Sequence, residues 1–339
     1  MLKTHITGNF KAVDQTNLQS AFATLQDALS RQVIGQPHFV EQLLIALLAD
    51  GHLLVEGAPG LAKTRALKSL ASFISADAQR IQFTPDLLPS DIIGTEIYRP
   101  EDSSFEFQPG PVFHQLVIAD EINRAPAKVQ SALLEAMAER QVSIGNRTLP
   151  LPELFMVMAT QNPIEQEGTY PLPEAQLDRF LMQVLVDYPD ANSENAILEL
   201  ARREVIDALK KPVTVEVQPL VSAAQILQAR ADVMNLHMSA TVQEYLVQLV
   251  LATRNAQRYS ETLNGVIEFG ASPRATIALD RCSRARAWLQ GRDFVTPEDV
   301  QDMAKNCLRH RLILSMTAEA KGIHCDQVID TLLDLVPAA

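Results

Sequence analysis

Gly57-Ala58-Pro59-Gly60-Leu61-Ala62-Lys63-Thr64, directly behind the apolar stretch His52-Leu53-Leu54-Val55, decides the fold. It spells a strand, a glycine-rich turn and a helix start, the layout that cradles nucleotide phosphates. Successive backbone N–H groups in such a turn form an anion-binding concavity, and the first helical turn adds unpaired donors and a positive dipole end. In this layout Lys63 reaches the terminal phosphates and the Thr64 hydroxyl holds Mg²⁺. A plain Gly-Pro-Gly connection is the alternative. Against it, a lysine in the first helical turn opposes the macrodipole, costing about 0.3–1 kcal/mol unless an anion offsets it. Ala62 stands where the P-loop pattern carries its second glycine. Its methyl group narrows the allowed backbone angles, so a negative φ is expected there.

Outward from this run, strands alternate with helices. Leu53–Glu56, Arg80–Phe83, Leu116–Ala119, Leu154–Ala159 and Leu181–Val186 read as strands, and Lys63–Ile74 and Lys128–Arg140 as helices. Such alternation predicts a parallel sheet covered on both faces. An amphipathic helix carrying Leu18, Phe22, Leu25 and Leu29 comes first, then Val33-Ile34-Gly35-Gln36 and an apolar helix over Val40–Leu48. Two hairpins interrupt the pattern, Glu96–Tyr98 with Phe105–Gln108 across Pro100-Glu101-Asp102-Ser103, and Val142–Ile144 with Thr148–Leu151 across Gly145-Asn146. After Tyr188-Pro189-Asp190 only helical spacing remains, and Thr296-Pro297-Glu298-Asp299 is a clean helix start. The predicted organisation is an α/β nucleotide-binding core over residues 1–190 and an all-α domain over 191–339.

Leu116-Val117-Ile118-Ala119-Asp120-Glu121 is an apolar strand ending in two carboxylates. In an open parallel sheet ligands bind at the carboxyl ends of the strands. Asp120 there orients Mg²⁺ through its water shell, and Glu121 polarises an attacking water as general base. Helix capping explains one acid of this pair but not both. Asn162, behind the strand Phe155-Met156-Val157-Met158, can hold the water or the γ-phosphate without adding charge, although Asn-Pro turns are common. Arg179 precedes a strand, and Arg274 stands in the first turn of a long helix, where a cation is poorly placed unless it faces an anion. Either can stabilise phosphoryl transfer or form a solvated ion pair worth little. Arg124 and Arg147 are further candidates.

Composition bounds the partners. The chain has 339 residues, 47% hydrophobic and 21% charged, ordinary for a soluble globular protein. A net charge of −12 and the lack of a basic, aromatic-interleaved stretch argue against nucleic acid. Three widely spaced cysteines, Cys282, Cys307 and Cys325, fit a reducing cytoplasm and no metal rhythm. No apolar run is long enough to span a bilayer, and no signal peptide is visible, so direct membrane insertion is not expected.

Together these residues resemble the MoxR family of AAA+ ATPases. The resemblance runs through Glu56–Thr64, Phe83-Thr84-Pro85-Asp86-Leu87-Leu88-Pro89-Ser90-Asp91 and Asp120-Glu121-Ile122-Asn123-Arg124-Ala125-Pro126. It continues through Ala159-Thr160-Gln161-Asn162-Pro163, Leu172–Phe180 and Gly270-Ala271-Ser272-Pro273-Arg274-Ala275, covering about residues 15 to 335. Ala62 is usual in that family. The resemblance implies an αβα AAA+ domain with a helical lid, a helical insertion near residues 92–110 and a hairpin near 141–152. It implies ATP and Mg²⁺ as cofactors, with Gly57, Ala58, Pro59, Gly60, Leu61, Ala62, Lys63 and Thr64 on the nucleotide and Ile34 beside the adenine. It makes Asn162 sensor 1, Arg179 an arginine finger given to the neighbouring subunit, and Arg274 sensor 2, acting in cis or in trans. It further implies a hexameric ring that remodels, matures or activates protein clients, often with a von Willebrand factor A domain protein. A nucleotide-gated assembly switch with little hydrolysis and a chelatase-type motor subunit are the competing readings. A nucleic-acid motor, as in minichromosome maintenance helicases, is disfavoured by the acidic balance.

Overall fold

The computed structural model describes residues 15–101, 103–145, 147–163, 168–209 and 219–338. The chain opens with α1 (Gln15–Gln32) and α2 (Pro37–Leu48), then runs through β1 (Leu53–Gly57), α3 (Lys63–Ile74) and β2 (Ala78–Gln82). A one-turn helix α4 (Pro89–Ile93) leads into the hairpin β3 (Gly94–Arg99) and β4 (Ser104–Pro109), followed by β5 (Leu116–Asp120) and α5 (Ala127–Glu139). A second hairpin, β6 (Gln141–Ile144) and β7 (Arg147–Pro150), precedes β8 (Met156–Gln161), α6 (Glu174–Leu177) and β9 (Met182–Val186).

Five strands form one parallel sheet in the order β2-β5-β8-β1-β9. Alternate residues of each central strand enter opposite cores, as a two-residue repeat demands. Leu53, Val55, Leu116, Ile118, Met156 and Met158 join one cluster with α1, α2 and α3. Leu54, Val117, Ala119, Phe155, Val157 and Ala159 join a second cluster with α5. Burial on both faces explains why these strands read as continuous apolar runs.

The rest of the chain is α7 (Ala191–Leu209), α8 (Ala223–Met234), α9 (Ala240–Arg254), the short strand β10 (Ile267–Phe269), α10 (Pro273–Leu289) and α11 (Pro297–Leu308). It closes with β11 (Ile313–Leu314), α12 (Met316–Ala320) and α13 (Cys325–Leu335). The first cluster continues into these helices through Ile226, Leu249, Leu279, Trp288 and Ile329, so the helical part shares a core with one face of the sheet. Among the described residues no helix is long and apolar enough to cross a membrane.

Several expectations need correction. The helical insertion expected near residues 92–110 is the antiparallel hairpin β3–β4, with only α4 as helix. Its alternating, aromatic-rich strands favour pairing: Tyr98 faces Phe105 with ring centroids 5.2 Å apart. The region after residue 190 is not purely helical, because β10 pairs with β11 across α10 and α11. Strands that short carry no period to read. Both sequence-predicted hairpins are present, but Asp102 and Asn146 of their turns lie outside the described residues.

Candidate functional site

β1 delivers the chain to a turn whose shape depends on two glycines for different reasons. A Cβ on Gly57 would stand 2.5 Å from the Val186 carbonyl of β9, so only glycine lets the strands lie this close. Gly60 has open space around it but φ +85°, a conformation that costs a side-chain-bearing residue. Ala62 corrects our expectation: it adopts φ 57°, ψ 12°, the left-handed region, as a glycine would. The strain is on the order of 1 kcal/mol and is tolerated because α3 begins at the next residue. No side chain caps α3, so the first-turn amides stay available at the cleft.

Pro59 to Arg65 line a cleft of about 310 Å³ together with Arg80, Asp120, Glu121, Thr160, Gln161 and Asn162. The ends of β1, β2, β5 and β8 therefore converge on the phosphate turn, where an open parallel sheet binds its ligands. Lys63 Nζ donates to the Gly57 carbonyl at 2.5 Å. Burial lowers its pKa, outweighing Asp120, Glu121 and Glu56, which raise it. Its charge is thus poorly solvated, which favours an arriving anion. Asn162 is 7% exposed on the cleft wall.

Apart from Arg124, the two acids are held by groups that sequence reasoning did not single out. Asp120 Oδ1 accepts the Thr160 hydroxyl at 2.5 Å, and Oδ2 accepts Arg80 Nη2 at 2.6 Å and Nε at 3.0 Å. Glu121 has φ 56°, and its N–H donates to Thr160 Oγ1 at 2.9 Å. Its carboxylate accepts Gln82 Nε2 at 2.8 Å and pairs with Arg124 Nε at 3.0 Å. Arg80 and Gln82 sit two apart at the end of β2, and only the pairing of β2 with β5 brings them here. Thr160 carried a clue, lying two residues before Asn162 on β8. The oxygen donors on this cleft, the Thr64 hydroxyl and Asp120 carboxylate, suit Mg²⁺, which takes one or two carboxylates plus phosphate oxygens.

Ile34 is not on this cleft wall. Its turn is pinned near the start of α7: Gln36 Nε2 donates to the Asp187 carbonyl at 2.7 Å, and Gly35, at φ +78°, packs on Pro189 and Ser193. Arg65 at the start of α3 donates to Gln32 Oε1 at 3.1 Å, so the turn flanks the phosphate helix.

Arg179 and Arg274 are brought together, but elsewhere. They line a second cleft of about 340 Å³ with Asp50, His52, Arg140, Arg281 and Arg311. Asp50 to His52 precede β1, and Phe180 and Leu181 precede β9, so this cleft lies at the amino ends of the strands. The five-residue β1 separates the clefts by about 16 Å, and neither arginine lines the phosphate cleft of its own chain. Arg179 Nη1 donates to the Leu134 carbonyl at 2.7 Å. Ser272 Oγ caps α10 by accepting the Arg274 N–H at 3.1 Å and donates to Asp178 at 2.8 Å, tying the two arginines into one unit. Arg311, with its side chain 3% exposed, donates to Asp178 Oδ1 at 2.8 Å and to the Phe180 carbonyl at 2.6 Å. Arg124 stays with Glu121, and Arg147 is exposed on β7.

Known proteins agree with this architecture. Residues 52–182 match the model of the ATPase family associated with various cellular activities, and residues 263–332 match the AAA lid domain. The chain is 45% identical over 318 residues to chaperone MoxR1 of Mycobacterium tuberculosis, covering 92% of this chain and 82% of that one. It is 40% identical over 323 residues to the YeaC protein of Bacillus subtilis, covering 95% and 96%. A crystal structure named as a candidate ATPase from Cytophaga hutchinsonii superposes with TM-score 0.87 at 45% identity, over 95% of this chain and 96% of the other. The phosphate turn, the paired acids at the end of β5 and these relatives together place the chain in the MoxR family of AAA+ ATPases.

Proposed function

We propose that this protein hydrolyses ATP with Mg²⁺ as one subunit of a ring, six by family analogy, and uses the cycle to remodel protein clients. In this reading residues 1–190 are the ATPase core and 191–339 the lid. Lys63 and the backbone N–H groups of the turn Gly57 to Thr64, Pro59 excepted, hold the phosphates, with Ile34 toward the adenine. Thr64 and Asp120 hold Mg²⁺, which supplies charge neutralisation on the phosphates. Glu121 takes the proton of the attacking water, and Asn162 orients that water. Arg179 and Arg274 both serve the nucleotide of a neighbouring subunit. A von Willebrand factor A domain partner follows from the family resemblance alone, and a cytoplasmic setting from the cysteine usage.

One observation carries the shared-site reading: the arginines lie at the amino ends of the strands, while the phosphate cleft lies at the carboxyl ends. A chain whose catalytic cations point away from its own ligand is complete only against a copy. Mixing Lys63→Ala with Arg179→Ala tests this. Each variant alone should be inactive, and the mixture should regain turnover, because an intact cleft then meets an intact arginine. No recovery at any ratio, with assembly intact, refutes the shared site.

A further inference from the structure

Asp120 is fully engaged before any ligand arrives. Its side chain is 13% exposed; one oxygen accepts Thr160, and the other accepts two N–H groups of the Arg80 guanidinium. A carboxylate held in this way is a poor partner for a divalent cation, since the guanidinium offsets its charge through Oδ2 and the Thr160 hydroxyl occupies Oδ1. Arg80 is also placed to leave. It stands on β2, the edge strand of the sheet, with its side chain 46% exposed. Among the described residues its remaining side-chain tie is Gln82 Oε1, 2.9 Å from Nη2.

We propose that Arg80 is a resident counter-cation that occupies Asp120 until Mg²⁺ displaces it, and so limits how strongly Mg²⁺ favours nucleotide binding. The inference rests on the reading that Asp120 serves Mg²⁺. With the cleft empty, Arg80 offsets the repulsion between the neighbouring Asp120 and Glu121 carboxylates. When Mg²⁺ and phosphates enter, Arg80 gives up Asp120 and turns outward. When they leave, it returns and restores the neutral pair. Arg80 is therefore a positioning residue: it acts on the metal through Asp120, without a bond to the reacting atoms.

The test needs no turnover. Binding of a fluorescent, non-hydrolysable ATP analogue is measured in EDTA and in saturating Mg²⁺, and the ratio of the two dissociation constants is the Mg²⁺ gain. Any direct effect of Arg80 on phosphate that is equal in both conditions cancels in this ratio. Removing the competitor in Arg80→Ala should raise the gain by about three- to fivefold, the range of a half-exposed ion pair. Arg80→Gln should do the same, whereas Arg80→Lys, which keeps the charge, should stay near wild type. A gain that is unchanged or smaller in both neutral variants, with wild type binding normally, overturns the role of Arg80 alone. Wild type that binds the analogue in neither condition overturns the nucleotide reading, and this inference with it.

Discussion

In the cleft before the phosphate turn every described basic side chain already has a partner, whereas in the cleft at the other end of the strands two guanidiniums pair with no other described side chain. Lys63 bonds its own strand, Arg65 pairs with Glu204 on α7, and Arg80 pairs with Asp120. Arg274 and Arg281, one face of α10 apart by seven residues, make no side-chain hydrogen bond or ion pair among the described residues. In the first cleft the charges neutralise one another within the chain. The second leaves guanidinium charge that an anion from elsewhere can meet. On the proposed reading the first cleft binds nucleotide and the second serves catalysis in a neighbouring copy, and mutations can test each side.

The largest effects should divide between the clefts. Lys63→Ala should abolish measurable nucleotide binding by calorimetry. Arg179→Ala should leave binding near wild type and cut saturated turnover by about 10³–10⁵-fold, as for other arginines in phosphoryl transfer. Equal loss of binding in both variants would break the comparison.

Next in size is the scaffold of the second cleft. Arg311→Ala leaves Asp178 and several carbonyls without their buried partner, and should destabilise the fold by about 3–5 kcal/mol in denaturant unfolding. His52 at the same end accepts the Val157 N–H at 3.0 Å, and burial lowers its pKa to about 4. The unfolded chain therefore takes up that proton first as pH falls. Stability should drop between the ordinary histidine value and pH 4, by about 3 kcal/mol in all. His52→Gln should flatten that limb of the urea-midpoint profile.

A smaller effect belongs to the phosphate cleft. Burial lowers the Lys63 pKa, and an anion would raise it again, so nucleotide binding should take up a proton. Affinity should then weaken on raising the pH, beginning below the ordinary lysine value, by at most tenfold per unit. An affinity that is flat across the alkaline range would remove Lys63 from the phosphates. Smallest of all, Ala62→Gly trades relieved strain against unfolded-chain entropy, and should change the thermal midpoint by the equivalent of about 1 kcal/mol or less.

Much of this molecule was legible locally. The phosphate turn, the acid pair of β5, Asn162 behind β8 and the start of α10 at Arg274 all follow a strand or cap whose pattern lies within a few residues. Arg80 and Gln82 were not legible, since their own strand gives no sign that β5 is its neighbour. The residue pattern gave the hairpin through alternating Tyr98, Phe105 and Phe107, whereas the family resemblance alone implied a helical insertion there. Ala62 was misjudged because intrinsic backbone preference yields to the neighbouring helix and strand.

By itself, then, the sequence determined most of the strands and helices and the pattern of the phosphate turn, because hydrophobic period, glycine placement and caps act over short range. Only the tertiary structure decided that Arg80 rests on Asp120 and that Arg179 and Arg274 lie at the opposite end of the sheet from Lys63. Those facts depend on strand order and on which end of a parallel strand a loop leaves. Both are set by long-range packing of the two cores, which no local stretch of residues encodes.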